Sequence, residues 1–111
     1  MLQIETDGSI KLTRGDTARL TITIEDMIAN EPYIIEENDT LTLTIKKTVK
    51  DKDALLTKQI KGSNVFSILP SDTKDMDFGK YKYDVQLEKE NGDIYTIIEP
   101  SSFRLSQEVT Y

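Results

Sequence analysis

The chain has 111 residues, 37% of them hydrophobic and 31% charged, a formal net charge of −6, and neither cysteine nor histidine. Without cysteine there is no disulfide and no thiolate nucleophile; without histidine the commonest general base and the commonest zinc ligand are missing. The acidic balance argues against a nucleic-acid partner, whose phosphates need clustered Lys and Arg, and no apolar run approaches the roughly 18 residues of a membrane-crossing helix.

A chain of this length fits a single domain, assigned to residues 1–111, with one hydrophobic core. The amino terminus, Met1-Leu2-Gln3-Ile4-Glu5, has no basic region followed by an apolar stretch, so no signal peptide is expected. The lysines 46, 47, 50 and 52 are interleaved with Asp51 and Asp53 and read as a solvated loop.

In chain order, Leu2 and Ile4 suggest a first short strand and Ile10 and Leu12 an opening one. Leu20, Ile22 and Ile24 then alternate with Arg19, Thr21 and Thr23, and Leu41, Leu43 and Ile45 alternate with Thr40, Thr42 and Thr44. Period two is the mark of a strand with one buried face. Residues 55–60 and 65–69 read as strands around the turn Lys61-Gly62-Ser63-Asn64. A short helical turn near 71–76 follows, where Pro70-Ser71-Asp72-Thr73 offers side-chain oxygens to unpaired backbone N–H groups. Tyr81, Tyr83, Val85 and Leu87 restore the alternation. Asn91-Gly92 supplies the positive φ angles of a tight hairpin turn before a strand over 94–98. Pro100 separates that strand from a last one at Phe103 and Leu105, because proline cannot donate to a ladder. The class is all-β, and the count of about seven antiparallel strands in two sheets is the sandwich pattern.

The stretch Asp77-Phe78-Gly79-Lys80-Tyr81-Lys82-Tyr83 resembles the Asp-x-Gly-x-Tyr-x-Cys signature of immunoglobulin domains, with Tyr83 in place of the cysteine. The resemblance implies an immunoglobulin-like sandwich with a tyrosine corner. In it the Tyr81 hydroxyl bonds back to backbone near 75–77, Gly79 admits a tight turn, and Tyr83 fills the volume between sheets.

Other groups have plainer readings. Asp72, Asp75 and Asp77, and Glu36, Glu37 and Asp39, are oxygen clusters of the kind calcium takes, without EF-hand spacing; capping and loop solvation account for them. Nothing marks a general acid beside a second carboxylate, so the chain is not expected to be an enzyme. Arg14-Gly15-Asp16 spells an integrin-type tripeptide but sits where turn formers belong. The threonine rows suit a solvent face and can also meet sugar or a neighbouring subunit.

Taken whole, the order of pieces is similar to proteins of the tail and baseplate regions of phages and prophages of Gram-positive bacteria. The pieces are Ile10-Lys11-Leu12-Thr13-Arg14-Gly15-Asp16-Thr17, residues 38–46, Leu69-Pro70-Ser71-Asp72-Thr73, residues 79–87, Asn91-Gly92-Asp93, Tyr95-Thr96-Ile97-Ile98 and Glu108-Val109-Thr110. They resemble the immunoglobulin-like amino-terminal domain of upper baseplate proteins. That resemblance implies a non-catalytic virion component, structural or accessory, made in the host bacterial cytoplasm and placed in the virion. Its partners would be other virion proteins or itself, with no cofactor, no metal, no nucleic acid and no membrane. The chain ends at Tyr111 with no coiled-coil or receptor-binding segment, which favours a connector role. A carbohydrate-binding or adhesin-type domain is the alternative, resting on the threonine faces and five tyrosines. Lys80, Lys82 and Glu88 supply edge charge, and a homo-oligomer through an unblocked edge stays open.

Overall fold

The alternation read from the sequence becomes burial at every second position. In a computed structural model, which describes residues 2–4, 9–26, 30–50 and 52–107, Leu41, Leu43 and Ile45 are buried along one strand while the intervening threonines are half-covered. Tyr81, Tyr83, Val85 and Leu87 do the same along another. Fully burying one such side chain contributes about 1.5–3 kcal/mol relative to exposure, which fixes the register: a slip of one residue would turn the whole row to water.

Among the described residues ten strands and one short helix follow in order: β1 Leu2–Ile4, β2 Ile10–Thr13, β3 Ala18–Thr21, β4 Ile24–Asp26, β5 Glu31–Tyr33, β6 Thr40–Lys46, β7 Leu56–Lys61, β8 Val65–Ile68, α1 Pro70–Thr73, β9 Gly79–Glu88 and β10 Ile94–Ser106. The large sheet has the order β1-β2-β10-β9-β6-β7, and β3-β8 and β4-β5 form two small sheets. Ala18, Leu20, Phe66 and Ile68 of the β3-β8 pair share one buried cluster with Ile10, Leu12, Val85, Phe103 and Leu105 of the large sheet. One core is therefore shared by the large sheet and the β3-β8 pair.

Several expectations need correction. Leu20, Ile22 and Ile24 do not share one strand: β3 ends at Thr21, and Ile24 opens the separate β4-β5 hairpin. Ile22 stays buried between them, its N–H donating to the Asn64 carbonyl (2.8 Å) and its carbonyl accepting from the Asn64 amide (3.0 Å). The strands are not all antiparallel, since β2 runs parallel to β10, with Ile10 opposite Phe103 and Leu12 opposite Leu105. Pro100 does not divide the last strand. β10 passes through it, with register shifts between Thr96 and Ile98 and between Ile98 and Ser101 absorbing the missing donor. The helix spans only Pro70–Thr73, shorter than the 71–76 expectation, and carries the chain from β8 in a small sheet to β9 in the large one. The closing piece Glu108-Val109-Thr110 lies outside the described residues.

Candidate functional site

Three connections meet at one end of the large sheet: residues 34–39 before β6, 62–64 after β7, and 89–93 between β9 and β10. They meet because Thr40 pairs with both Lys61 and Glu88, which sets the three strand ends side by side. Gly62 holds φ +70°, and a Cβ there would lie 3.0 Å from the Glu37 carbonyl oxygen, so the 62–64 turn packs directly on the 34–39 loop. The Gly62 N–H donates to the Asp39 carbonyl at 2.9 Å.

The hairpin turn differs from the tight one that Asn91-Gly92 suggested. Glu90, Asn91 and Gly92 form a three-residue loop in which Gly92 donates to the Lys89 carbonyl (2.9 Å) and Lys89 to that of Asp93 (2.8 Å). Only Gly92 has positive φ, at 95°, which makes it the left-handed residue that follows a type I turn. Asn91 acts through its side chain, accepting the Asp93 N–H at 3.0 Å.

Inside this end lies a polar constellation. Asp39 is 1% exposed. Its Oδ2 accepts from the Tyr33 hydroxyl at 2.5 Å and from the Glu36 N–H at 3.0 Å, and its Oδ1 lies 3.2 Å from Lys89 Nζ. Lys89 also donates to the Tyr33 hydroxyl and lies 3.7 Å from Glu36. Burial pushes the Asp39 carboxyl up, but the Tyr33 hydroxyl, the Glu36 N–H and Lys89 outweigh it and hold it below the ordinary value. The Tyr33 hydroxyl raises the Lys89 ammonium; against the opposing cost of burial, and with help from Asp39, it stays well above the usual lysine value. Burial, followed by the Asp39 carboxylate, raises the Tyr33 phenol despite Lys89. A buried carboxylate with these partners is spoken for, and it fixes the loop.

Above it, Glu36, Glu37, Asn38, Glu90 and Asn91 join Asp39 and Lys89 in lining a recess of about 490 Å³. Asn38 Nδ2 donates to Glu90 Oε2 at 3.2 Å, bridging the two loops. The rim is rich in carboxylates, and among the described residues no group of three or more His, Cys, Asp or Glu side chains is arranged to hold a metal ion. Glu36, Glu37 and Asp39 do sit together, but Asp39 faces Tyr33 and Lys89.

The other singled-out residues lie elsewhere. Tyr81 donates its hydroxyl to the Asp77 carbonyl at 2.5 Å, within the 75–77 stretch the sequence pointed to. Burial and the nearby Asp77 carboxylate raise its phenol. Gly79 has φ +141° as the chain enters β9, and Tyr83 is buried with its ring edge-on to Phe103, centroids 6.4 Å apart. These residues lie far along β9 from the recess and carry no open chemistry. Asp72 accepts the Leu69 N–H at 2.7 Å and pairs with Lys58 at 2.8 Å; burial raises its carboxyl, but these two partners hold it below the ordinary value. Arg14 stacks over Phe78 with its guanidinium carbon 4.0 Å from the ring centroid and donates to the Met76 carbonyl at 3.3 Å. Gly15 turns at φ +88° and its N–H donates to Thr73 Oγ1 at 3.3 Å, so the Arg-Gly-Asp tripeptide is a turn docked on α1. Of the described aromatic side chains, Phe78 and Tyr95 are the exposed ones.

Sequence reading missed the Tyr33–Asp39–Lys89 constellation. Its members lie 6 and 50 residues apart, and no periodicity links them. The one available signal was Lys89, a cation ending a strand just before a turn rich in acids.

Among the described residues no helix is long and apolar enough to cross a membrane. No protein-family model matches the chain, and no curated protein does.

Proposed function

We propose that this chain is an immunoglobulin-like sandwich acting as a non-catalytic structural or accessory component of a phage or prophage particle, in its tail–baseplate region. The observation that carries the fold part is the strand order. β10-β9-β6-β7 matches the G-F-C-C′ order of a variable-type domain, β3-β8 matches B-E, and the parallel β2-β10 pair matches an opening strand that switches sheets. The Tyr81–Asp77 link, at the entry to the strand equivalent to F, supports the same reading. The phage assignment rests on the ordered resemblance of the sequence pieces. In this reading the loop end with its acidic rim and the sheet edges are binding surfaces. The partners are other virion proteins or further copies of the chain, and the location is the virion.

Mass spectrometry of purified particles from an induced lysogen carrying the gene tests this. The chain should be recovered at a fixed ratio to the tail proteins; clean particles that lack it would overturn the assignment. A carbohydrate-binding or adhesin-type role is the second reading, favoured by the exposed Tyr95 ring. Glycan-array binding that disappears in Tyr95→Ala would put it first.

A further inference from the structure

The start of β10 is paired on one side only among the described residues. β9 takes one flank of Ile94–Ile98, while β2 reaches only Phe103–Ser106 on the other. On the opposite margin of the sheet, β7 pairs, among the described residues, with β6 alone. The two edges are level with each other. Lys61, Thr40, Glu88 and Ile94 form one row across the sheet, and Gln59, Thr42, Gln86 and Thr96 form another.

Hydrogen-bonding direction can be assigned at both edges. Lys89 and Asp93 are a bonded pair, so by the alternation of an antiparallel ladder Ile94 and Thr96 turn their N–H and C=O groups away from β9. Asp39 and Gly62 are bonded likewise, so Lys61 and Gln59 turn theirs away from β6. Three antiparallel steps separate β10 from β7, so the two run in opposite directions. A second copy laid beside the first in the same orientation therefore meets it as an antiparallel neighbour, Lys61 opposite Ile94 and Gln59 opposite Thr96, with outward donors facing outward acceptors.

We propose that the start of β10 in one copy pairs with β7 of a second copy, head to tail, continuing the large sheet from subunit to subunit. Charge selects this pairing over the symmetric ones. Two β10 edges centred on Thr96 would set Asp93 opposite Glu99, like against like, and two β7 edges would bring Lys61 of both copies to one seam. The mixed pairing sets an edge flanked by acids against an edge carrying Lys61. Ile94 and Tyr95, 59% and 52% exposed, supply apolar area to cover. The register shifts beyond Thr96 keep each contact short, so its strength comes from repetition in a ring or row of subunits. This inference stands apart from the phage reading and can fail without it.

The chain has no cysteine, which makes cross-linking clean. Thr96→Cys and Gln59→Cys chains, both altered at exposed positions, are mixed in equal amounts and mildly oxidised at high protein concentration. The mixed disulfide should exceed either homodisulfide several-fold. Sedimentation velocity of the unaltered chain should show mass above the monomer that rises with concentration. Thr96→Pro, which removes only an outward N–H, should weaken this about tenfold, and Lys61→Glu should weaken it and regain association when mixed with Asp93→Lys. A monomer at every concentration, or homodisulfides as abundant as the mixed one, would overturn the proposal.

Discussion

Lys89 Nζ lies 3.2 Å from Asp39 Oδ1, joining the end of β9 to the residue that precedes β6 across 50 positions of sequence. The pair ties two loops of the acidic end to one point, and Tyr33 anchors a third segment to it. Removing Lys89 leaves the buried Asp39 carboxylate without its counter-charge. Lys89→Met should destabilise the fold by about 3 kcal/mol, the lower end for a broken buried pair, because the ammonium keeps some access to water. Urea unfolding checks this, and the Asp39→Asn, Lys89→Met double variant should lose clearly less than the sum of the two single changes.

The same pair sets the pH dependence. Asp39 and Asp72 have carboxyls held below their ordinary value of 3.8. The stability they contribute is fully present above that value and is lost as pH falls through the lower folded one. Lys89 is raised above its ordinary 10.5, so its contribution is complete below that and lost only in strong alkali. A stability profile by urea unfolding should therefore be flat near neutrality with an acid limb below about pH 4. Asp39→Asn should make that limb shallower.

Tyr81→Phe removes the hydroxyl that donates to the Asp77 carbonyl and keeps the buried ring. The expected loss is about 1 kcal/mol. Thermal unfolding checks it, and a loss equal to that of Tyr81→Ala would mean that the hydroxyl rather than the ring holds the corner.

Two glycines with similar positive φ separate strain from crowding. Gly92→Ala meets only the backbone penalty, since nothing lies within 4 Å of its Cβ position. Gly62→Ala adds a 3.0 Å approach to the Glu37 carbonyl oxygen. Both should destabilise by about 1 kcal/mol or more, with Gly62→Ala clearly the worse in denaturant unfolding.

What could be read from the sequence was what local periodicity records. Leu41, Leu43 and Ile45, and Tyr81 through Leu87, announced their strands because one face of each is buried. Ile22 misled because burial continued past the point where pairing stopped. Pro100 misled because register shifts on either side of Ile98 let the strand pass through a residue that cannot donate. The parallel pairing of Ile10 with Phe103 and the meeting of Tyr33, Asp39 and Lys89 are tertiary relations between distant segments, and alternation does not encode them.

The sandwich reading turns most directly on β2 lying parallel to β10. Nuclear Overhauser contacts measured on the isotopically labelled chain decide it. The account predicts backbone contacts in a parallel pattern linking Ile10 with Phe103 and Leu12 with Leu105. An antiparallel pattern between these segments, or no contact between them, would contradict it.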